Sequence, residues 1–229
     1  MLERRKKISK KQIKEDKLVT TYYQVQNFIL ANQARLLIGI AAIALVVVAI
    51  VLFANKRASD NQNAAGLLAK VIPLYESGSF KEAVEGQPQT NTVGLKKIVG
   101  DFGGTESGNT AKILLGNAYI LLNNNDDAYK AFDDYSGSNP LLKATALAGK
   151  AGCLEIRKEF EKAADLYRDA SKISKINPAN AEYLLKAGID YLNIGKKDEA
   201  KSVFEIIKKD YKTSSTFYDV DRYMLQVGS

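Results

Sequence analysis

Histidine and tryptophan are absent from the 229 residues, cysteine occurs once and proline four times. Without histidine there is no Ser-His-Asp triad, no Cys-His pair and no histidine-ligated zinc or haem. The lone Cys153 excludes an internal disulfide and any CxxC zinc or redox site. Low-complexity tracts are missing too: the 16 glycines are scattered, and 46% hydrophobic with 26% charged residues is an ordinary globular balance. A chain so poor in catalytic groups is expected to be no enzyme and to carry no cofactor or metal.

Anions are scarce in one place. Residues 1–35 hold nine cations (Arg4, Arg5, Lys6, Lys7, Lys10, Lys11, Lys14, Lys17, Arg35) and three anions (Glu3, Glu15, Asp16). The net charge of +7 is therefore almost all in this arm, and the rest of the chain is nearly neutral. A basic terminal arm is not a nucleic-acid-binding domain, so no nucleic-acid partner is expected.

From Leu36 to Ala54 no residue is charged or strongly polar, and 13 of these 19 are Leu, Ile, Val or Phe. A helix of that length spans about 28 Å, close to the ~30 Å hydrocarbon core of a bilayer. The run is too long, and its basic preface too long, for a cleavable signal peptide. Nine cations precede it, against three (Lys56, Arg57, Lys70) in residues 55–75. The positive-inside rule then predicts a cytoplasmic N-terminus and residues 55–229 outside. In the arm, Leu18, Tyr22, Val25, Phe28 and Ile29 recur at helical spacing, which suits an amphipathic helix on the inner leaflet.

Beyond residue 55 the sequence repeats. Gly116 and Gly188 align, as do Tyr119 and Tyr191. Ala128, Ala163 and Ala200 recur at intervals of 35 and 37, and Phe132, Tyr167 and Phe204 keep the same intervals. Small residues let paired helices approach, while aromatics fill the space between hairpins. In the middle unit Ala151 and Leu154 stand where the others have Gly and Tyr. A degenerate unit precedes these, with Leu74, Gly78, Phe80 and Ala83. It breaks at Gly86 and Pro88 into an insert, residues 86–108, with a short helix expected over Val93–Val99. A last helix, Thr216 to Gln226, presents Asp219, Asp221 and Arg222 as a polar end cap.

Leu115-Gly116, Tyr119, Ala128, Phe132 and Pro140 stand at the usual offsets of the tetratricopeptide repeat, which this pattern resembles. The expected fold is all-α: a transmembrane helix, then an α-solenoid of three clear repeats, one degenerate repeat and a capping helix. With its DFGGTESGN loop, the chain also resembles Bacteroidetes-type single-pass inner-membrane proteins. These are similar in architecture to the YfgM type of ancillary Sec-translocon subunit. The resemblance implies a periplasmic repeat domain binding proteins or peptides, with the translocon and a membrane-anchored chaperone among its partners. A scaffold for an envelope-assembly or division complex is the alternative.

Other motifs read more simply. Gly103–Thr110 nearly fits a phosphate-binding loop, but Asn109 replaces the lysine and no strand precedes it. It is expected to be a turn, with Asn109 or Thr110 capping a helix from Ala111. Asn123–Asp127 is expected to be an inter-helix turn, and Asp133-Asp134 with Glu159–Glu161 a solvated face. Cys153 is expected to be a buried thiol.

Function should then lie on the concave face, which the first helix of each repeat lines. The register assigns it Ile113, Asn117, Ile120 and Leu121 from one repeat. The next supplies Thr145, Ala148, Gly152 and Glu155, and the third Glu182, Leu185, Lys186 and Ile189. Asn117 matches the asparagine of carboxylate-clamp members, but of the clamp's cations only Lys186 is present. The small, apolar lining suits an extended hydrophobic segment or a partner helix.

Overall fold

A computed structural model describes residues 10–228, all-α apart from one two-residue ribbon. The cations Arg4, Arg5, Lys6 and Lys7 lie outside the described residues, as do the side chains of Lys10, Lys11, Lys14 and Leu18. The chain divides into two compact units, Met1–Lys56 and Arg57–Ser229.

In the first unit, α1 (Lys10–Ala31) ends at Asn32, whose side-chain amide donates to the Phe28 carbonyl at 2.9 Å. Next comes α2 (Gln33–Glu76), whose most apolar window has a mean hydropathy of 3.3 and no buried residue. A soluble core helix would bury such a surface, so α2 is a candidate membrane span. The apolar run is not a helix of its own: nothing in Asn55–Lys70 breaks a helix, and α2 continues until just past Pro73.

In the second unit, the last turns of α2 bury Ala64, Leu68 and Val71, an i, i+4, i+7 stripe. This stripe packs on α3 (Phe80–Glu85), α4 (Leu95–Phe102) and α5 (Glu106–Leu121) through Ala83, Val84, Leu95, Ile98, Ala111 and Leu115. Between α3 and α4 the chain makes an antiparallel ribbon, β1 (Gly86–Gln87) with β2 (Thr92–Val93), around a 3-10 turn. The helix expected over Val93–Val99 in fact starts at Leu95 and runs to Phe102. The ribbon takes Val93, and the buried Leu95 and Ile98 give α4 its apolar face. Gly94 is obligatory: a Cβ there would stand 2.3 Å from the Val84 carbonyl oxygen.

The remaining helices pair in sequence: α5 with α6 (Asn125–Asp133), α7 (Pro140–Ile156) with α8 (Phe160–Ile173), α9 (Asn180–Asn193) with α10 (Lys197–Asp210). The terminal α11 (Thr216–Val227) caps the stack on α9 and α10, its Asp221 pairing with Lys208 at 2.7 Å. Each pair turns through a left-handed residue, Gly78, Asn123, Lys158 or Gly195, with φ of 79°, 58°, 60° and 75°. Five residues after each comes a fully buried alanine, Ala83, Ala128, Ala163 or Ala200. That cadence runs through all four hairpins, the degenerate one included.

Gly116 and Gly188 serve a different purpose from the one their spacing suggests. They make room for the aromatic ring of their own hairpin. A Cβ on Gly116 would meet Phe132 at 2.7 Å, and on Gly188 would meet Phe204 at 2.1 Å. Gly149 of the following repeat opposes Phe132 in the same way, at 2.6 Å.

The helix after the glycine-rich turn begins earlier than expected. Thr105, not Asn109 or Thr110, is the N-cap of α5, its hydroxyl accepting from the Gly108 amide at 3.0 Å. Asn109 is buried inside the helix, where its carbonyl oxygen accepts from the Ser136 amide at 2.9 Å. The segment before the turn is α4, a helix, so the strand a phosphate-binding loop requires is absent there. Of Asn123–Asp127, Asn123 and Asn124 form the inter-helix turn and Asn125–Asp127 the first turn of α6, with Asn124 as its cap and Asp126 bound to Arg157 at 2.6 Å.

Candidate protein-binding groove

Three first helices, α5, α7 and α9, border an open concavity of about 530 Å³. Asn117 and Ile120 come from α5, while α7 gives Ala148, Gly152 and Glu155, and α9 gives Lys186. Six of the twelve residues assigned by register thus meet in one place. Second-helix aromatics, Phe132 of α6 and Tyr167 of α8, form the floor, with Gly149 and Ile156 completing the wall.

The other six lie elsewhere. Ile113 is buried against Ala128, Phe132, Ala146 and Cys153 and so belongs to the core. One helical turn separates it from Asn117, and the stripe that buries α5 takes it. Leu185 packs half-buried on the last core cluster. Thr145 turns its hydroxyl back to the Leu141 carbonyl at 3.0 Å, and Ile189 is half-buried. Leu121 and Glu182 are exposed near the ends of their helices.

Small residues give the groove its depth, since Ala148, Gly149 and Gly152 leave the middle of α7 nearly bare. Below them the lining turns polar. The Tyr167 hydroxyl donates to Glu155, and the Lys186 ammonium lies 5.4 Å from the centre of the Tyr167 ring. Burial, then the Glu155 carboxylate, pushes the Tyr167 phenol well above its usual range. Asn117 is engaged toward Tyr75, whose phenol burial raises and the Asn117 amide partly lowers. This leaves Asn117 less free to grip a ligand than in a clamp.

Register reasoning missed Asp190. It is 1% exposed, and neither carboxylate oxygen has a hydrogen-bond partner. Burial, followed by the neighbouring Glu155 carboxylate, raises its acid to about 7, with Lys186 pulling the other way. The Glu155 and Asp190 carboxyls thus face one another, and the Glu155 charge disfavours an ionised Asp190. Asp190 sits four residues beyond Lys186 on the same helix face, the one signal in the sequence that ties it to the groove.

The other expected features are structural. Cys153 is buried, and burial pushes its thiol up to about 11, so it is inert at neutral pH. The acidic face is solvated and laced with exposed pairs, among them Lys162–Glu159 at 2.6 Å and Lys196–Glu161 at 2.5 Å. Such pairs contribute little, about 0–1 kcal/mol each.

Residues 182–214 match the family model of the tetratricopeptide repeat. The matched segment is the α9/α10 hairpin and the turn after it. No curated protein matches the chain. The repeat is a protein-interaction module, and the sequentially paired helices of this chain pack as in a solenoid of such repeats.

Proposed function

We propose that this chain is a membrane-anchored interaction scaffold that holds an extended protein segment in the α5–α7–α9 groove. The observation that carries the reading is the convergence of Asn117, Ala148, Gly152 and Lys186 from three successive repeats on one concavity. A protein-binding solenoid needs such a surface, shaped by bare helix faces and ringed by a few polar groups.

The anchor in this reading is α2, inserted with the basic arm in the cytoplasm and the repeats in the periplasm of a bacterial inner membrane. Charge asymmetry supports that orientation, nine cations before the apolar run against three after it. The sequence resemblance extends the role to an ancillary factor of the secretion translocon or of periplasmic chaperones. The test is crosslinking in intact membranes from photoreactive residues placed at positions 120 and 148. Translocon and chaperone peptides among the products support the role, and envelope-synthesis enzymes would move it to assembly or division. A reporter fused after Ser229 that is active only in the cytoplasm would overturn the orientation.

A further inference from the structure

We propose that the groove floor is a receptor for one basic side chain of the bound segment, a lysine or arginine read jointly by Glu155 and Asp190. The inference rests on the groove reading above and names the chemistry it selects.

The charge balance points this way. Glu155 and Asp190 lie near Tyr167, Glu182 adds a weaker negative field from its exposed place early in α9, and Lys186 is the cation over the ring. Among the described residues, none of these four forms a direct ion pair. Lys186 instead leans over the Tyr167 ring. A buried carboxyl with no donor is a costly arrangement that an incoming cation relieves. Asp190 is such a group, and its neighbour Glu155 opens directly onto the concavity.

Access is built in at Gly152. A Cβ there would stand 3.4 Å from the Tyr167 hydroxyl and 4.0 Å from a Glu155 oxygen. With glycine, that space beside Glu155 and the Tyr167 hydroxyl stays free of a side chain. An aliphatic stem can lie along Ala148 and Gly152 while its charged end reaches down.

Entry of the cation carries a proton balance. Before binding, burial and the facing Glu155 carboxylate favour the neutral acid of Asp190, raised to about 7. The groups facing Asp190 are Glu155 of α7, Tyr167 of α8 and Lys186 of its own helix. When the ligand's cation arrives, the Asp190 carboxyl ionises and its proton passes to solvent, so a proton and the ligand compete for the same place.

The test uses the full chain in lipid nanodiscs and two short extended peptides of alanine, leucine and serine. They are identical except for one central arginine, replaced in the twin by its neutral isostere citrulline. Binding is read by fluorescence anisotropy. The arginine peptide should bind at least about tenfold tighter than its twin near pH 8, and the ratio should shrink near pH 6 as protons compete. Asp190→Asn and Glu155→Gln, each checked by thermal melting, should bring the ratio toward one. Twins of equal affinity at both pH values, both released by Ala148→Glu, would overturn the receptor and leave the groove standing. A ratio that persists in both carboxyl variants would also overturn it. Failure of both peptides to bind, or indifference of both to Ala148→Glu, would sink the groove reading and this inference together.

Discussion

The flanking repeats and the middle repeat use one register position in opposite ways. In α5/α6 and α9/α10 the position holds phenylalanine, Phe132 or Phe204, seated where a glycine has given up its Cβ. In α7/α8 it holds Tyr167, and the partnered position is Ala151. The tyrosine ring stays as buried as the phenylalanines, yet its hydroxyl reaches Glu155 at the groove. Two repeats spend the position on cohesion, while the third turns it toward solvent-facing chemistry. Departures from a repeat's regularity are where a scaffold diverts stability into recognition.

That contrast can be broken at its strongest point first. Phe204→Ala should cost about 3–5 kcal/mol, since it empties a fully buried site closed by Gly188. Tyr167→Phe keeps the ring, so thermal melting should show a loss of only about 1 kcal/mol, from one hydrogen bond. Equal losses would mean that the Tyr167 hydroxyl holds the middle repeat together as much as a whole ring holds its neighbour, and the contrast would fail.

Adding bulk is the next test. Ala200→Leu fills a fully buried gap in α10 and should cost roughly 1–3 kcal/mol by denaturant titration. The same change at half-buried Ala148 should leave melting nearly unchanged.

The acid pair sharpens the comparison through pH. Burial holds the Asp190 acid at about 7, above its ordinary 3.8, so the native state binds the proton more tightly than the unfolded chain. Stability from this group is complete below about pH 4 and is lost as pH rises through about 7. Asp190→Asn should therefore remove a decline in melting temperature between those values and stabilise the protein near pH 8 by on the order of 1–3 kcal/mol. An unchanged slope in the variant would mean that Asp190 is not the titrating group.

The smallest effect concerns the turns. Lys158 holds φ of 60° where its counterparts Gly78 and Gly195 are glycine. Lys158→Gly should stabilise by about 0.5–1 kcal/mol, as relief of left-handed strain outweighs the entropy of a freer unfolded chain. A destabilised variant would show that the lysine's own contacts matter more than its backbone.

Much of this architecture was legible from spacing. The alanines and aromatics located each second helix, because a small residue facing a large one must recur wherever helices pair. Asn123 and Lys158 were silent, since neither is a glycine, although counting five back from each alanine would have found them. The start of α5 was misplaced because Thr105, Asn109 and Thr110 are all plausible caps, and Ser136, which binds Asn109, lies 27 residues on. For the groove, register recovers first-helix residues that face outward. It cannot tell Ile113 from Asn117 when the difference is how far one helix rolls on the next. Nor could it reveal Asp190, whose isolation comes from the neighbouring hairpin rather than from its own helix.

The β1–β2 ribbon interrupts what would otherwise be one second helix, and its strands leave the solenoid and return side by side at Gly86 and Gly94. Its tip, Pro88–Asn91, is exposed. A neck closed by backbone pairing transmits little of what is attached beyond it, because added chain alters only a loop whose closure grows costly slowly with length. An epitope, a spin label or a small fluorescent domain grafted between Gln89 and Thr90 would ride outside the repeat stack. The hairpin is thus a ready-made handle for tracking the protein in living cells with both termini left untouched.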